Sequence, residues 1–314
     1  MDQNSLLQMQ KLPLDLKISK SRMRIQEWYR ENSGMVYIAF SGGKDSTVLL
    51  HLVRELYPDV PAVFSDTGLE YPEIRAFVKT FENVIFVKPK MNFKEVIEKF
   101  GYPFPSKMQA QYIEQYRTTK SEKLKELRLN GQDYGYGRQY CVSAKWKFLL
   151  DSEWKVSDKC CKIMKKDPMK QYEKQSERKP YIGIMASDSS QRKKQILQNG
   201  CNAFDVGQSR PLAIWTEENI WDYIRKYNIQ YCKVYDYSTE TQEKCITRTG
   251  CIFCMFGYHL NDTDRFEILR RFQPKLYEYC MENLRMREFI EYIKNNSDTK
   301  RNHDEHNNLF TCEK

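Results

Sequence analysis

The stretch Met35-Val36-Tyr37-Ile38-Ala39-Phe40-Ser41-Gly42-Gly43-Lys44-Asp45-Ser46 decides the reading of this chain. Its opening is an unbroken apolar run, which suits a strand buried on both faces. Beyond it, Val48, Leu49, Leu52, Val53 and Leu56 recur at helical spacing. The expected succession is therefore buried strand, glycine turn, helix start. A helix start directs unsatisfied backbone N–H groups, and the positive end of its dipole, at whatever stands before it. Gly42 and Gly43 let backbone approach an anion closely. Ser41 and Ser46 add hydroxyls, and Lys44 adds a positive charge on a long stem. Together they suit a phosphate or pyrophosphate. The Walker-type loop is excluded, because it needs more residues before its Lys-Ser/Thr pair.

Upstream of the run, Leu14, Ile18, Met23, Ile25, Trp28 and Tyr29 predict a helix over 14–31, and Asn32-Ser33-Gly34 stops it. Downstream, Pro61-Ala62-Val63-Phe64 and Val84-Ile85-Phe86-Val87 read as further strands, with a helix through Ile74, Phe77, Val78 and Phe81 between them. A helix over 92–100 follows. Tyr181-Ile182-Gly183-Ile184-Met185 reads as another strand, and Thr216 as the N-cap of a helix carrying Ile220, Trp221, Tyr223 and Ile224. Alternating strands and helices predict an α/β fold: a doubly wound, mainly parallel sheet with a helical C-terminal region. Ligands of such sheets bind at the carboxyl ends of the strands, where Ser41 and Asp66 both fall. The expected organisation is an N-terminal helical segment over 1–34 and a nucleotide-binding core over 35–215. A helical insertion interrupts that core at about 101–150 and includes a short charged helix over 121–129. The helical C-terminal region follows over 216–296, with helices over 263–281 and 284–295, and a mobile tail over 297–314.

Across 314 residues, 30% are charged and 40% hydrophobic, which excludes a disordered chain and leaves room for a sizeable core. No apolar run approaches the roughly 20 residues that span a bilayer, so no membrane partner is expected. Met1-Asp2-Gln3-Asn4-Ser5 lacks the basic and apolar regions of a signal peptide, which places the expected compartment in the cytoplasm. A formal charge of +9 favours anionic partners, nucleotides or nucleic acid.

In a reducing compartment ten cysteines are expected as thiols unless they hold metal or do redox work. The tandem pair Cys160-Cys161 and the pair Cys251/Cys254 supply two thiolate pairs, which suit zinc or an iron–sulfur cluster. Adjacent side chains diverge, so a tandem pair fits the separate irons of a larger cube better than one zinc ion. Cys245 stands close enough in sequence to compete as a ligand, whereas Cys141, Cys201, Cys232 and Cys280 read as core or incidental. His51, on the first core helix, reads as structural.

Ser41-Gly42-Gly43-Lys44-Asp45-Ser46 resembles the PP-loop of the adenine-nucleotide alpha-hydrolase superfamily, which grips the pyrophosphate of ATP. Over roughly 35–257 the chain resembles the phosphoadenosine-phosphosulfate reductase family within that superfamily. Asp66-Thr67-Gly68 with Pro72-Glu73 matches its nucleotide motif. Gly183-Ile184-Met185-Ala186 with Ser189 and Arg192 matches its anion loop, with Met185 in place of the family's arginine. Ser209-Arg210-Pro211-Leu212 and Trp215 match the segment after it. The cysteine pairs resemble the 4Fe–4S ligands of the iron–sulfur adenylyl-sulfate reductase branch, where Lys165 is the nearest counterpart of a lysine beside the cluster.

Two departures shape what this resemblance implies. Sulfonucleotide reductases usually lack the loop lysine, and this chain keeps Lys44, which favours ATP. Those reductases also end in a Glu-Cys-Gly-Leu-His-like tail, whereas this chain has Phe310-Thr311-Cys312-Glu313-Lys314. The implied function is an ATP pyrophosphatase that adenylylates an acceptor for iron–sulfur-dependent sulfur transfer. DNA phosphorothioation and tRNA thiolation enzymes have similar loops, which implies a nucleic-acid acceptor and a sulfur-donor protein. Lys44, Asp45 and Ser46 would be catalytic. Ser41, Gly42, Gly43, Lys44, Asp45, Ser46, Asp66, Thr67, Ser189 and Arg192 would hold ATP and Mg²⁺. Cys160, Cys161, Cys251 and Cys254 would hold the cluster. The alternatives are a sulfonucleotide (PAPS/APS) reductase with a Cys312 nucleophile and a thioredoxin-like reductant, or a non-catalytic nucleotide-binding regulator.

Overall fold

The apolar run forms β1 (Val36–Ala39), with Val36, Tyr37 and Ile38 buried. The computed structural model describes residues 2–135, 137–238, 246–260 and 264–298. These divide into two compact units. One holds the described parts of Met1–Pro89, Lys165–Asp236 and Thr247–Thr249, and the other those of Lys90–Met164, Tyr237–Ile246 and Gly250–Lys314.

In the first unit, α1 (Gln3–Gln10) and α2 (Leu14–Glu31) precede β1. Then come α3 (Lys44–Leu56), β2 (Ala62–Ser65), α4 (Pro72–Val78) and β3 (Val84–Val87). The unit resumes with α5 (Asp167–Ser176), β4 (Lys179–Ile182), α6 (Ser190–Asn199), β5 (Asn202–Ala203), β6 (Gln208–Ser209) and α7 (Glu217–Lys226). Six strands make one sheet in the order β3-β2-β1-β4-β6-β5. Every pairing is parallel except β5 with β6, and Ile38 of β1 faces Ala62 of β2 and Tyr181 of β4. The α/β class and the mainly parallel sheet are as expected. From β1 the chain winds one way to β2 and β3, and later returns on the other side as β4. Right-handed crossovers in opposite directions put helices on opposite faces. The point where the strand order reverses therefore lies between the carboxyl ends of β1 and β4.

Helix α3 packs on β1, β4, α2 and α7, burying Val48, Leu49, Leu52 and Val53. Each such side chain is worth about 1.5–3 kcal/mol, against about 1 kcal/mol for a helix cap. The core, not the loop, therefore fixes where α3 starts. α2 has the expected bounds and buries Ile18, Ile25 and Trp28, but Met23 lies exposed. α1 escapes sequence reading because Leu6 is its one buried residue, which leaves no apolar period to detect.

The second unit includes helices Phe93–Phe100, Lys107–Thr118, Glu122–Asn130, Lys159–Cys161, Asp264–Phe272, Pro274–Glu278 and Met286–Asp298. Lys107–Thr118 is an addition to the expected insertion. Its buried face is only Ala110, Tyr112 and Ile113, too narrow to stand out in a glutamine-rich segment. The continuous helix expected over 263–281 is corrected: it breaks at Gln273, because Pro274 has no N–H and opens a new helix as its first residue. The last helix runs through Asp298, and residues 299–314, including Cys312, lie outside the described residues, as does Cys245.

Candidate functional site

The loop from β1 turns into α3 at Gly42 and Gly43. Gly42 has φ +71°, and a Cβ there would stand 2.6 Å from Val78 Cγ2 and 2.9 Å from Ile74 Cγ2, so both backbone and packing against α4 require glycine. Gly43 is the N-cap residue of α3. The loop is tied by its own hydroxyls. Ser46 Oγ donates to Gly43 O at 2.8 Å and accepts from the Ser41 N–H at 3.2 Å, and Thr47 Oγ1 donates to Gly43 O at 3.1 Å. Across the switch point, Gly183 follows β4. A Cβ there would meet Asp45 O at 3.2 Å, so the second strand's loop lies directly against the first turn of α3.

Lys44 points inward rather than out. Its side chain is 3% exposed, with Nζ donating to Thr247 O at 2.8 Å and standing 3.3 Å from Glu217 Oε1 and 3.5 Å from Asp45 Oδ1. A buried ammonium is tolerable only with such partners. The backbone N–H of Lys44, the first of the helix, donates to Tyr235 Oη at 2.9 Å. Asp45 Oδ1 is buried and accepts no hydrogen bond. Burial pushes the Asp45 carboxyl above its ordinary value; Lys44 opposes that shift and the nearby charge of Asp188 adds to it. A buried carboxylate oxygen at a helix start, ion-paired with Lys44 and beside a second acidic group, is of the donor type that a hard divalent cation such as Mg²⁺ takes.

Asp188, in the loop after β4, is the hub of that loop. Its carboxylate accepts from the Met185 N–H at 2.9 Å, from Arg248 Nη2 at 2.9 Å and from Arg192 Nη1. Ser189 Oγ accepts from the Arg192 N–H at 3.2 Å and so caps α6. At the next strand end, buried Asp66 accepts from Arg75 Nη2 at 2.7 Å. Thr67 Oγ1 donates to Glu70 Oε1 at 2.6 Å and accepts from the Leu69 N–H at 3.1 Å, which closes a tight turn. Ser41 to Ser46 are thus brought together with Asp188 and residues 247–249. Asp66 and Thr67 occupy the neighbouring strand end on the same edge. Sequence reading missed Tyr235, Glu217, Thr247, Arg248, Thr249, Glu70 and Arg75. Only Glu70 and Arg75, a few residues past Asp66, carried a local signal. His51 is structural, with Nδ1 2.8 Å from Tyr223 Oη and its ring beside Tyr223 and Tyr227.

Cys160, Cys161, Cys251 and Cys254 all belong to the second unit. The Cys254 N–H donates to Cys251 O at 3.1 Å, which makes the expected turn. The donor set suits a thiolate-bound cluster. Among the described residues, no three His, Cys, Asp or Glu side chains stand as a ligand group. Lys165 falls in the first unit.

The model of the phosphoadenosine phosphosulfate reductase domain matches residues 35–135 and 79–256, more than half of the chain. The chain belongs to that family. Among its relatives is the adenosine 5′-phosphosulfate reductase of Bacillus thuringiensis, 27% identical over 237 residues, which cover 74% of this chain and 82% of the reductase. An uncharacterized protein of Methanocaldococcus jannaschii is 28% identical over 274 residues; the match covers 85% of this chain but spans only 44% of that protein's length. A solved U34-tRNA thiolase from Methanococcus maripaludis, with its 4Fe–4S cluster, aligns with a TM-score of 0.37 at 13% identity, covering 87% of this chain and 80% of the thiolase. Among the described residues of this family member, no helix is long and apolar enough to cross a membrane.

Proposed function

We propose that this reductase-family chain is an ATP-using enzyme that adenylylates an acceptor for sulfur transfer. The observation that carries the reading is the pairing of Lys44 with Asp45 on the first turn of α3, beside the loop that follows β4. A lysine there supplies charge where a β- or γ-phosphate would lie, and its partner carboxylate, Asp45, would supply an oxygen for Mg²⁺. In this reading Ser41, Gly42, Gly43, Lys44 and Ser46 hold the phosphates, Asp66 and Thr67 help place the nucleoside, and Ser189 and Arg192 face it from the β4 side. An acceptor carbonyl oxygen attacks the α-phosphorus, the bond to the bridging oxygen breaks, and pyrophosphate leaves with the electron pair. Lys44 and the α3 N-terminus stabilise the charge that develops on it. A sulfur nucleophile then displaces adenosine monophosphate from the acceptor. The excess of basic residues favours a nucleic-acid acceptor.

Cys160, Cys161, Cys251 and Cys254 are the residues that would hold a 4Fe–4S cluster, which would supply an iron site for handling sulfur.

A second reading is favoured by the likeness to adenosine 5′-phosphosulfate reductase. In it the chain reduces a sulfonucleotide with a thiol such as Cys312. Side-by-side assays of anaerobically purified protein decide between the two. The first reading expects pyrophosphate release from ATP in the presence of tRNA or DNA, and little loss in Cys312→Ser. Sulfite release from adenylyl sulfate, abolished in Cys312→Ser, would replace it with the second.

A further inference from the structure

The phosphate loop already has internal occupants. The first N–H of α3, on Lys44, is taken by Tyr235 Oη at 2.9 Å. The Lys44 ammonium is taken by the carbonyl of Thr247 at 2.8 Å. The space a Cβ of Gly43 would fill is met by Thr249 Oγ1 at 3.0 Å and Tyr235 Oη at 3.1 Å. All of these groups lie in one compact unit. Arg248, between the two threonines, donates to Asp188 Oδ1 at 2.9 Å and so fastens the segment to the loop after β4. The amide is therefore spent on a neutral phenolic oxygen, while the ammonium is shared between the Thr247 carbonyl and the carboxylates of Glu217 and Asp45. For that amide a phosphate oxygen is a stronger acceptor than the phenol, because charge-assisted hydrogen bonds are about twice as strong as neutral ones.

We propose that Tyr235, with Thr247–Thr249, is a specificity latch: its hydroxyl holds the phosphate-binding amide until a nucleoside triphosphate or inorganic pyrophosphate displaces it. The inference rests on the reading above, in which this helix end takes the phosphates beyond the α-phosphate. A ligand that ends at its α-phosphate leaves the latch shut and gains nothing from Lys44. A triphosphate must break the Tyr235 contact and is repaid with a charge-assisted one at the amide, while at Lys44 it competes with the Thr247 carbonyl and the carboxylates of Glu217 and Asp45. The latch thus sharpens the choice of triphosphate over shorter nucleotides. Burial holds the Tyr235 phenol up at about 12, so at neutral pH it is a neutral acceptor that yields to an anion.

The test is binding of inorganic pyrophosphate, ATP and adenosine monophosphate to the wild type, Tyr235→Phe and the control Tyr231→Phe, by isothermal titration calorimetry. Tyr235→Phe removes one competing hydrogen bond, which corresponds to about two- to tenfold tighter binding of pyrophosphate and ATP. Adenosine monophosphate binding and the control are expected to stay unchanged. Amide exchange at Thr247–Thr249 is expected to speed up when pyrophosphate binds the wild type. Weaker binding in Tyr235→Phe would make the phenol a ligand and overturn the latch, as would unchanged binding. Equal tightening for adenosine monophosphate would overturn the assignment of this amide to the outer phosphates. In the first two cases ATP still binds and the proposed function stands; in the third ATP binds but the role given to the α3 N-terminus at the leaving pyrophosphate falls with the latch. If neither ATP nor pyrophosphate binds either protein, the latch and the proposed function fall together.

Discussion

Replacing Lys44 by methionine separates two contributions that alanine would merge. Methionine keeps most of the buried stem and removes the charge, so the packing of α3 on β1 and β4 is preserved. The main loss to folding is the hydrogen bond from Nζ to Thr247 O, with its 2.8 Å length and 3% exposure, beside the looser ion pairs to Glu217 and Asp45. A buried bond from a charged donor contributes about 1.5–3 kcal/mol. Relief from burying an ammonium offsets part of that, so the unfolding free energy is expected to fall by no more than about 3 kcal/mol. The loss to catalysis is larger. The ammonium is the one lysine charge on the turn that would face the departing pyrophosphate, and losing one such contact costs about 2.7–4 kcal/mol, or about a hundred- to a thousandfold in rate. The assay is pyrophosphate release from ATP with tRNA or DNA present and oxygen excluded, run beside urea unfolding. A folded Lys44→Met protein that turns over ATP within about threefold of wild type would refute the reasoning. So would a wild type that reduces adenylyl sulfate and is indifferent to the change.

Gly42→Ala combines a φ of +71°, worth about 1–2 kcal/mol, with a Cβ 2.6 Å from Val78 Cγ2, worth about 1–3 kcal/mol; urea unfolding should show about 2–5 kcal/mol lost. Gly68→Ala, with a φ of +73° and nothing within 4 Å of its Cβ, should lose only the backbone share of about 1–2 kcal/mol. Cys254→Ser should abolish bound iron and acid-labile sulfide in anaerobic preparations, while Cys280→Ser, whose thiol is buried against Met286 Sδ, should leave both unchanged; metal analysis that finds zinc alone would replace the cluster with a structural ion. Burial lowers the affinity of His51 and His259 for a proton, so below about pH 6.5 the unfolded chain binds protons that the folded chain refuses. Stability should therefore fall as pH drops from 7.5 to 5.5, and His51→Gln should shrink that fall in urea midpoints measured at the two values.

What the sequence by itself determined is the set of features built from near neighbours. The run 35–40, the pair Gly42-Gly43 and the spacing of Val48, Leu49, Leu52 and Val53 announce strand, turn and helix, because hydrophobic period and glycine conformation are local properties. Enough such units in succession leave a parallel sheet as the only economical arrangement, and its carboxyl edge as the place for Ser41 and Asp66. The breakdown came where the local signal was thin. α1 buries a single leucine, Lys107–Thr118 presents a narrow face, and Pro274 splits a helix whose apolar spacing runs on through it.

Tertiary structure alone decided what the site residues touch. Lys44 and Tyr235 are far apart in the chain, and no periodicity or motif relates them; they meet because α3 and the segment after α7 pack in one unit. Arg248 is brought to the Asp188 carboxylate in the same way, whereas Arg192 reaches it by i,i+4 spacing. The direction of the Lys44 ammonium, inward to Thr247 and Glu217 rather than outward, depends on which acceptors the fold places within about 3 Å. A hydrogen bond is decided at that distance, and a sequence specifies only which groups are available to make it.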